Sequence, residues 1–149
     1  MVEKEREVIS TLNTLIETCR DGEQGFREAA QNLKDPAVKS MFDEFAHERA
    51  RFAEELKSEV QRLGGSPDEG GSMAGAAHRG WMNVKGAVTG HDDKQIIAEA
   101  ERGEDVAVAT YQKALEEPLP TAIESVVSRQ YEHVKMAHDR VRDLERAHE

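Results

Sequence analysis

Apolar positions recur at three- and four-residue steps along most of this chain, the pattern of helices that each bury one face. The first run, Glu3 to Leu33, places Ile9, Leu12, Ile16, Cys19, Glu23, Phe26, Ala30 and Leu33 on one stripe. Gly22 and Gly25 lie inside it. Each costs up to ~1 kcal/mol relative to Ala, so they signal close helix approach or room for a bulky neighbour. Asp35-Pro36 reads as an N-cap followed by a first-turn proline and opens a second helix. Its stripe is Val38, Phe42, Phe45, Arg49, Phe52, Leu56, Val60 and Leu63. Gly64-Gly65 closes it, and Ser66-Pro67 prevents continuation. So short a connection makes these two helices antiparallel neighbours.

From Gly64 to His91 the pattern weakens. Glycines bracket a piece of helical character, Met73 to Val88, with Ala77, Trp81 and Val84 on its apolar side. A crossover along the bundle fits: about 16 helical residues reach ~24 Å. Trp81 is expected to seal it, and His78, Arg79 and Lys85 read as a solvated face. Asp92 or Asp93 caps a third helix with Ile97, Ala100, Glu104, Ala107, Tyr111 and Ala114 inward, ended by Pro118 and Pro120. Thr121-Ala122-Ile123-Glu124 has the form of a capping box for a fourth helix. Ile123, Val127, Gln130, Val134, Val141 and Leu144 line that helix.

A shift of 81 positions lays Glu23 on Glu104, Phe42 on Ile123, Ala46 on Val127, Arg49 on Gln130, Phe52 on His133, Val60 on Val141 and Leu63 on Leu144. The spacing reads as an internally duplicated helical hairpin. Two hairpins joined by a crossover define an all-α, ferritin-like four-helix bundle, with residues 1–149 as one domain.

Composition narrows the function. A formal net charge of −10 argues against binding a phosphate backbone or an anionic membrane surface. No apolar run is long enough to span a bilayer, and the charged N-terminus leads into no signal-peptide core, so a cytoplasmic location is expected. One cysteine, Cys19, excludes an intrachain disulfide and reads as a packed, inert thiol. Tyr111 reads as a core aromatic. Val8, Met41, Val108 and Met136 fall outside the strictest stripes, which leaves a homo-oligomer open.

The chemistry centres on Arg20-Asp21-Gly22-Glu23 and Glu101-Arg102-Gly103-Glu104, which set a carboxylate on each of two core stripes. This pattern, with an aromatic further on (Phe26, Tyr111), resembles rubrerythrin and other ferritin-like di-iron carboxylate proteins. The resemblance implies metal-ligand positions at Glu23 and Glu104 and a Glu-x-x-His pair in each of the second and fourth helices. The second helix instead offers Arg49-x-x-Phe52, or Glu48-x-x-Arg51. The fourth offers Gln130-x-x-His133 or Lys135-x-x-His138, and the sequence does not choose between them. Taken whole, the chain resembles a bacterial family of ferritin-like bundles described as a domain of unknown function. The segments that carry this likeness are Leu15 to Thr18 with Asp21-Gly22-Glu23, His78 to Trp81, Arg102 to Asp105, Arg129-Gln130-Tyr131 and His138-Asp139.

A guanidinium at the expected metal position repels a divalent ion and can satisfy inward glutamates by bidentate hydrogen bonds. The expectation is therefore a core polar network of Glu23, Arg49, Glu104, Gln130 and Lys135, with no catalytic residue, cofactor or metal. The corresponding function is a non-catalytic bundle that works by association, with a setting in bacterial stress physiology by fold analogy. The alternatives are ordinary surface ion pairs, or a di-iron or di-manganese oxidase, peroxidase or storage protein. Such a protein would draw on Glu23, Glu44, His47, Glu48, Glu104, His133 or His138. A small-molecule binder beneath Trp81 is a further alternative.

Overall fold

The computed structural model describes residues 3–67 and 92–148, and these form four helices. They are α1 (Glu3–Asn32), α2 (Pro36–Arg62), α3 (Asp93–Glu116) and α4 (Thr121–Ala147). Their ends follow from local chemistry. Asp35, in an extended conformation, accepts the Ala37 N–H at 2.9 Å and caps α2, and Pro36 supplies a first residue that needs no donor. At the other end Gly64 adopts φ 82°, where an L side chain is strained. The Gly64 N–H donates to the Gln61 carbonyl and the Gly65 N–H to that of Val60, both at 3.0 Å, a Schellman cap. A Cβ at Gly65 would meet Ile9 Cδ1 at 2.8 Å, so this cap lies directly against α1. Asp92 accepts the Gln95 N–H at 3.0 Å and caps α3.

The start of α4 departs from the sequence pattern. Thr121 is already the first helical residue, and Pro120 takes the capping position without a side-chain hydrogen bond. The expected capping box therefore does not form, because the threonine hydroxyl sits one residue too far along the chain to reach the orphan amides.

Packing fixes the topology. Val8, Ile9, Leu12, Leu15 and Ile16 at the start of α1 cluster with Leu56 and Val60 of α2, Tyr111 and Ala114 of α3, and Ile123 and Val127 of α4. Phe26, Ala29, Ala30 and Leu33 pack with Val38 and Phe42, Ile96 and Ile97, and Val141. α1 is thus antiparallel to both α2 and α3, and α2 ends at the opposite end of the bundle from the start of α3. The expected crossover helix, with Trp81, His78, Arg79 and Lys85, falls outside the described residues. Val8 is buried after all, since α1 turns its first apolar residue against Leu63 and the core. Met136, at 52% exposure, is the one large exposed hydrophobic among the described residues.

Three phenylalanines close the second cluster. Phe26 stands 5.1 Å from Phe42 and 5.2 Å from Phe45 in edge and tilted contacts. Such pairs add about 0.5–1.5 kcal/mol beyond their buried area. At the same end Asp93 of α3 accepts the Lys34 N–H on Oδ1 and the Asp35 N–H on Oδ2, both at 2.9 Å. One carboxylate thereby ties the turn of the first hairpin to the start of the second. Replacing Asp93 with Ala leaves both amides without this acceptor and is expected to destabilise the fold by about 1.5–3 kcal/mol in denaturant titration. D93N, which keeps one carbonyl acceptor, should cost less.

Candidate functional site

The centre of the bundle is organised by Arg49, which belongs to the apolar stripe of α2 and is 1% exposed. A guanidinium so far from water needs a counter-charge, and Glu104 of α3, fully buried, supplies it. Arg49 Nη1 donates to Glu104 Oε1 at 2.8 Å and Nη2 donates to Oε2 at 2.5 Å, a bidentate pair. The guanidinium also lies over the Phe26 ring, 5.5 Å from its centroid. Gly22 of α1 makes the space: a Cβ there would stand 2.8 Å from Arg49 Nη1. The Nε–H of Arg49 has no hydrogen-bond partner among the described residues. Burial alone would lower the Arg49 pKa, but the charge and hydrogen bonds of Glu104 outweigh it and raise the value, so the side chain stays a cation.

A second run of buried polar groups passes beside this pair. Cys19 Sγ and Tyr111 Oη are 3.1 Å apart, and the Tyr111 hydroxyl donates to Gln130 Oε1 at 2.7 Å. Gln130 Nε2 donates to Glu55 at 2.8 Å and to the Phe52 carbonyl at 3.3 Å, and Glu55 pairs with Arg129 at the surface. Burial pushes the Cys19 thiol up to about 11 despite its hydrogen-bond contact with Tyr111, and burial together with Cys19 holds Tyr111 well above 10. Both groups are therefore neutral, and the run is a chain of satisfied packing contacts. Gln130 stands out in the sequence as a polar residue on the apolar stripe of α4, whereas its partner on α2 carries no signal beyond the amphipathic pattern. Glu55 reads as an ordinary outer-face residue.

The remaining expected network members lie elsewhere. Glu23 sits at the edge of the core, its side chain 24% exposed, and pairs with Arg27 at 2.7 Å; the position on that turn of α1 that meets Arg49 is Gly22. Lys135 is half-exposed and pairs with Asp139 at 3.7 Å. Gln130 is fully buried but contacts Tyr111 and Glu55 rather than Arg49. On α4 the frame that faces the centre begins at Gln130. The alternative metal donors are dispersed as well. Glu48 and His133 meet at 3.3 Å on the outside of α2 and α4, and Glu44 and His47 are exposed. His133 also stands edge-on to Phe52, with ring centroids 5.9 Å apart. A pair of metal ions in the centre, which this fold family implies, does not fit these residues. A cation already holds both oxygens of Glu104, and Glu23 is paired with Arg27 instead.

His138 belongs to a separate cluster between α3 and α4. Its Nε2 is 2.6 Å from Asp105 Oδ1, and its Nδ1 is 3.1 Å from Asp139 Oδ1. Glu101, one helical turn before Asp105, completes the group. Partial burial would lower the His138 pKa, but the hydrogen bonds to Asp139 and Asp105 and the charge of Asp105 raise it above 6.5. Lys135 and Arg142 flank Asp139 from the same helix.

The fold and its site define the class: the protein is a ferritin-like four-helix bundle whose central polar position holds an ion pair. It belongs to the family described as Domain of unknown function (DUF2383), which matches residues 7–117. Among solved structures, the chain is similar to a point mutant of Dps1 from Mycobacterium smegmatis. That likeness has a TM-score of 0.81 at 18% identity and covers 97% of this chain and 99% of the other. At that identity it concerns the fold alone. No curated protein matches the chain.

Two outcomes test the geometry. Arg49→Met strands a buried carboxylate and should cost about 3–5 kcal/mol, whereas R49M combined with Glu104→Leu should recover most of that loss, as read from denaturant midpoints. The second concerns pH. Because folding raises the His138 pKa, its stabilising contribution is fully present below pH 6.5 and is lost as the pH rises through the higher folded value. In chelator, melting temperature should therefore fall across that window in wild type, and this step should vanish in H138Q.

Proposed function

We propose that this chain is a non-catalytic ferritin-like bundle in which the Arg49–Glu104 pair stands where related folds hold two metal ions. The bundle acts by association. The observation that carries this reading is the bidentate contact of a fully buried guanidinium with both oxygens of the third-helix glutamate. A cation in that place already engages both oxygens of the glutamate, and it repels any divalent ion nearby. Gly22 supports the same reading, since its missing side chain leaves room for an arginine and adds no ligand.

Association is read from the outer surface. Met136, about half exposed on α4, is the large apolar side chain that a partner would cover. No helix among the described residues is long and apolar enough to cross a membrane, and a net charge of −10 disfavours an anionic bilayer surface as that partner. Self-association is the simplest form. A setting in bacterial stress physiology rests on fold analogy.

Protein purified without chelator from iron- and manganese-rich medium should carry no coupled pair of metal ions by elemental analysis and magnetic resonance. Two ions per chain that are lost on Glu104→Gln would overturn the central assignment. Sedimentation should show species above the 16.6 kDa chain mass, shifted toward monomer by Met136→Asp. A monomer at every concentration would refute self-association.

A further inference from the structure

We infer that Glu101, Asp105 and His138 form a site for one divalent first-row transition-metal ion on the α3–α4 face, outside the bundle centre. One ligand atom from each side chain lies within 4.8 Å of the other two. Glu101 and Asp105 are spaced i, i+4 and so project from one side of α3, and α4 brings the imidazole across to them. Zinc bonds of about 2.0–2.2 Å set donor atoms roughly 3–3.5 Å apart, a spacing that lies between the 2.6 Å of the His138–Asp105 contact and the 4.8 Å limit of the group. Two carboxylates and one imidazole suit an ion such as Zn²⁺ or Mn²⁺, with water in the remaining positions.

Two further observations point to a cation. Asp139 contacts the second nitrogen of His138, at 3.1 Å from Nδ1. An imidazole whose other ring nitrogen donates to a carboxylate is the usual arrangement of a metal-bound histidine, with tautomer and ring orientation fixed. With Nδ1–H given to Asp139, the Nε2 lone pair faces the Asp105 carboxylate at 2.6 Å, and two lone pairs in that position need a positive charge between them. A second proton can provide it, and so can a metal ion. Glu101, half-buried, has neither an ion pair nor a hydrogen bond among the described residues, although Arg102 beside it is paired with Glu99. In a bare ion-pair clamp this carboxylate has no role. As a ligand it has one.

The site is independent of the central pair, so the two assignments stand or fall separately. The full chain, stripped with chelator and titrated with Zn²⁺ by calorimetry, should take up one ion per chain and melt at higher temperature with the ion bound. Glu101→Gln and H138Q should each weaken binding by at least about tenfold, and Asp139→Ala, which removes the acceptor that orients the imidazole, by about 10–100-fold. R49M/E104L should bind as wild type, as should His133→Gln, which removes the other exposed histidine–carboxylate contact. E101Q is a half-buried, isosteric change, so it decides the matter even where H138Q folds poorly. No saturable uptake by wild type would overturn the inference. So would binding undiminished in E101Q, or weakened as much by H133Q.

Discussion

One buried charge sets the terms for the rest of this molecule. Bringing a guanidinium into the middle of a helical bundle costs several kcal/mol in lost hydration, and only a well-aligned opposite charge offsets that cost. The surrounding elements meet this demand from different helices. α3 supplies the Glu104 carboxylate, Phe26 on α1 offers a ring face, and Gly22 withdraws a side chain so that Nη1 has room. The apolar clusters above and below seal the pair from water, and that exclusion strengthens the attraction within it. Packing and electrostatics are thus coupled: the register of α1 against α2 and α3 is also the register that pairs the charges.

The helices and their order were legible in the sequence because a 3.6-residue period repeats over more than twenty residues in each, with proline and glycine at the breaks. The site was legible only in part. Arg49 and Glu104 stood out as charged residues on apolar stripes, where a charge needs a partner. Glu23 looked the same, yet it sits at the edge of the core, paired with Arg27. Stripe reasoning places a residue only to within about one position, roughly 100° around the helix, and on α1 the inward position fell to Gly22. The same error placed Lys135 inside. α4 presents Val134 and Ala137 to the core, so Lys135, lying between them, is carried toward solvent. Across the 81-residue shift, Arg49 and Gln130 are both buried, whereas Glu23 and Glu104 differ. Similar sequence positions therefore need not carry similar environments in the two halves.

Apart from Arg49–Glu104, the polar contacts between helices could not be read from one sequence. Cys19, Tyr111, Gln130 and Glu55 come from four different helices, and only the packed bundle brings them into one chain of contacts. Asp105 and His138 are separated in the same way: they stand 33 positions apart, and neither interrupts the pattern of its own helix. The Glu101–Asp105 spacing was visible, but exposed acidic pairs at that interval are common on helices. The third member on a neighbouring helix gives the pair its chemical meaning.

Gly22 has a consequence for how such a centre can change over time. With glycine at that place, exchanging Arg49 for a shorter residue opens a void against α1 and leaves the Glu104 carboxylate facing it without a counter-charge. With any larger residue there, the guanidinium cannot keep its seat. The two positions are therefore epistatic: each narrows what the other tolerates. An ion-binding centre at this place would need several substitutions at once, including one that brings an α1 carboxylate to it in the space Gly22 leaves. An arginine and a glycine set opposite each other thus constrain each other's replacement, and a change at either is best tolerated with a matching change at the other.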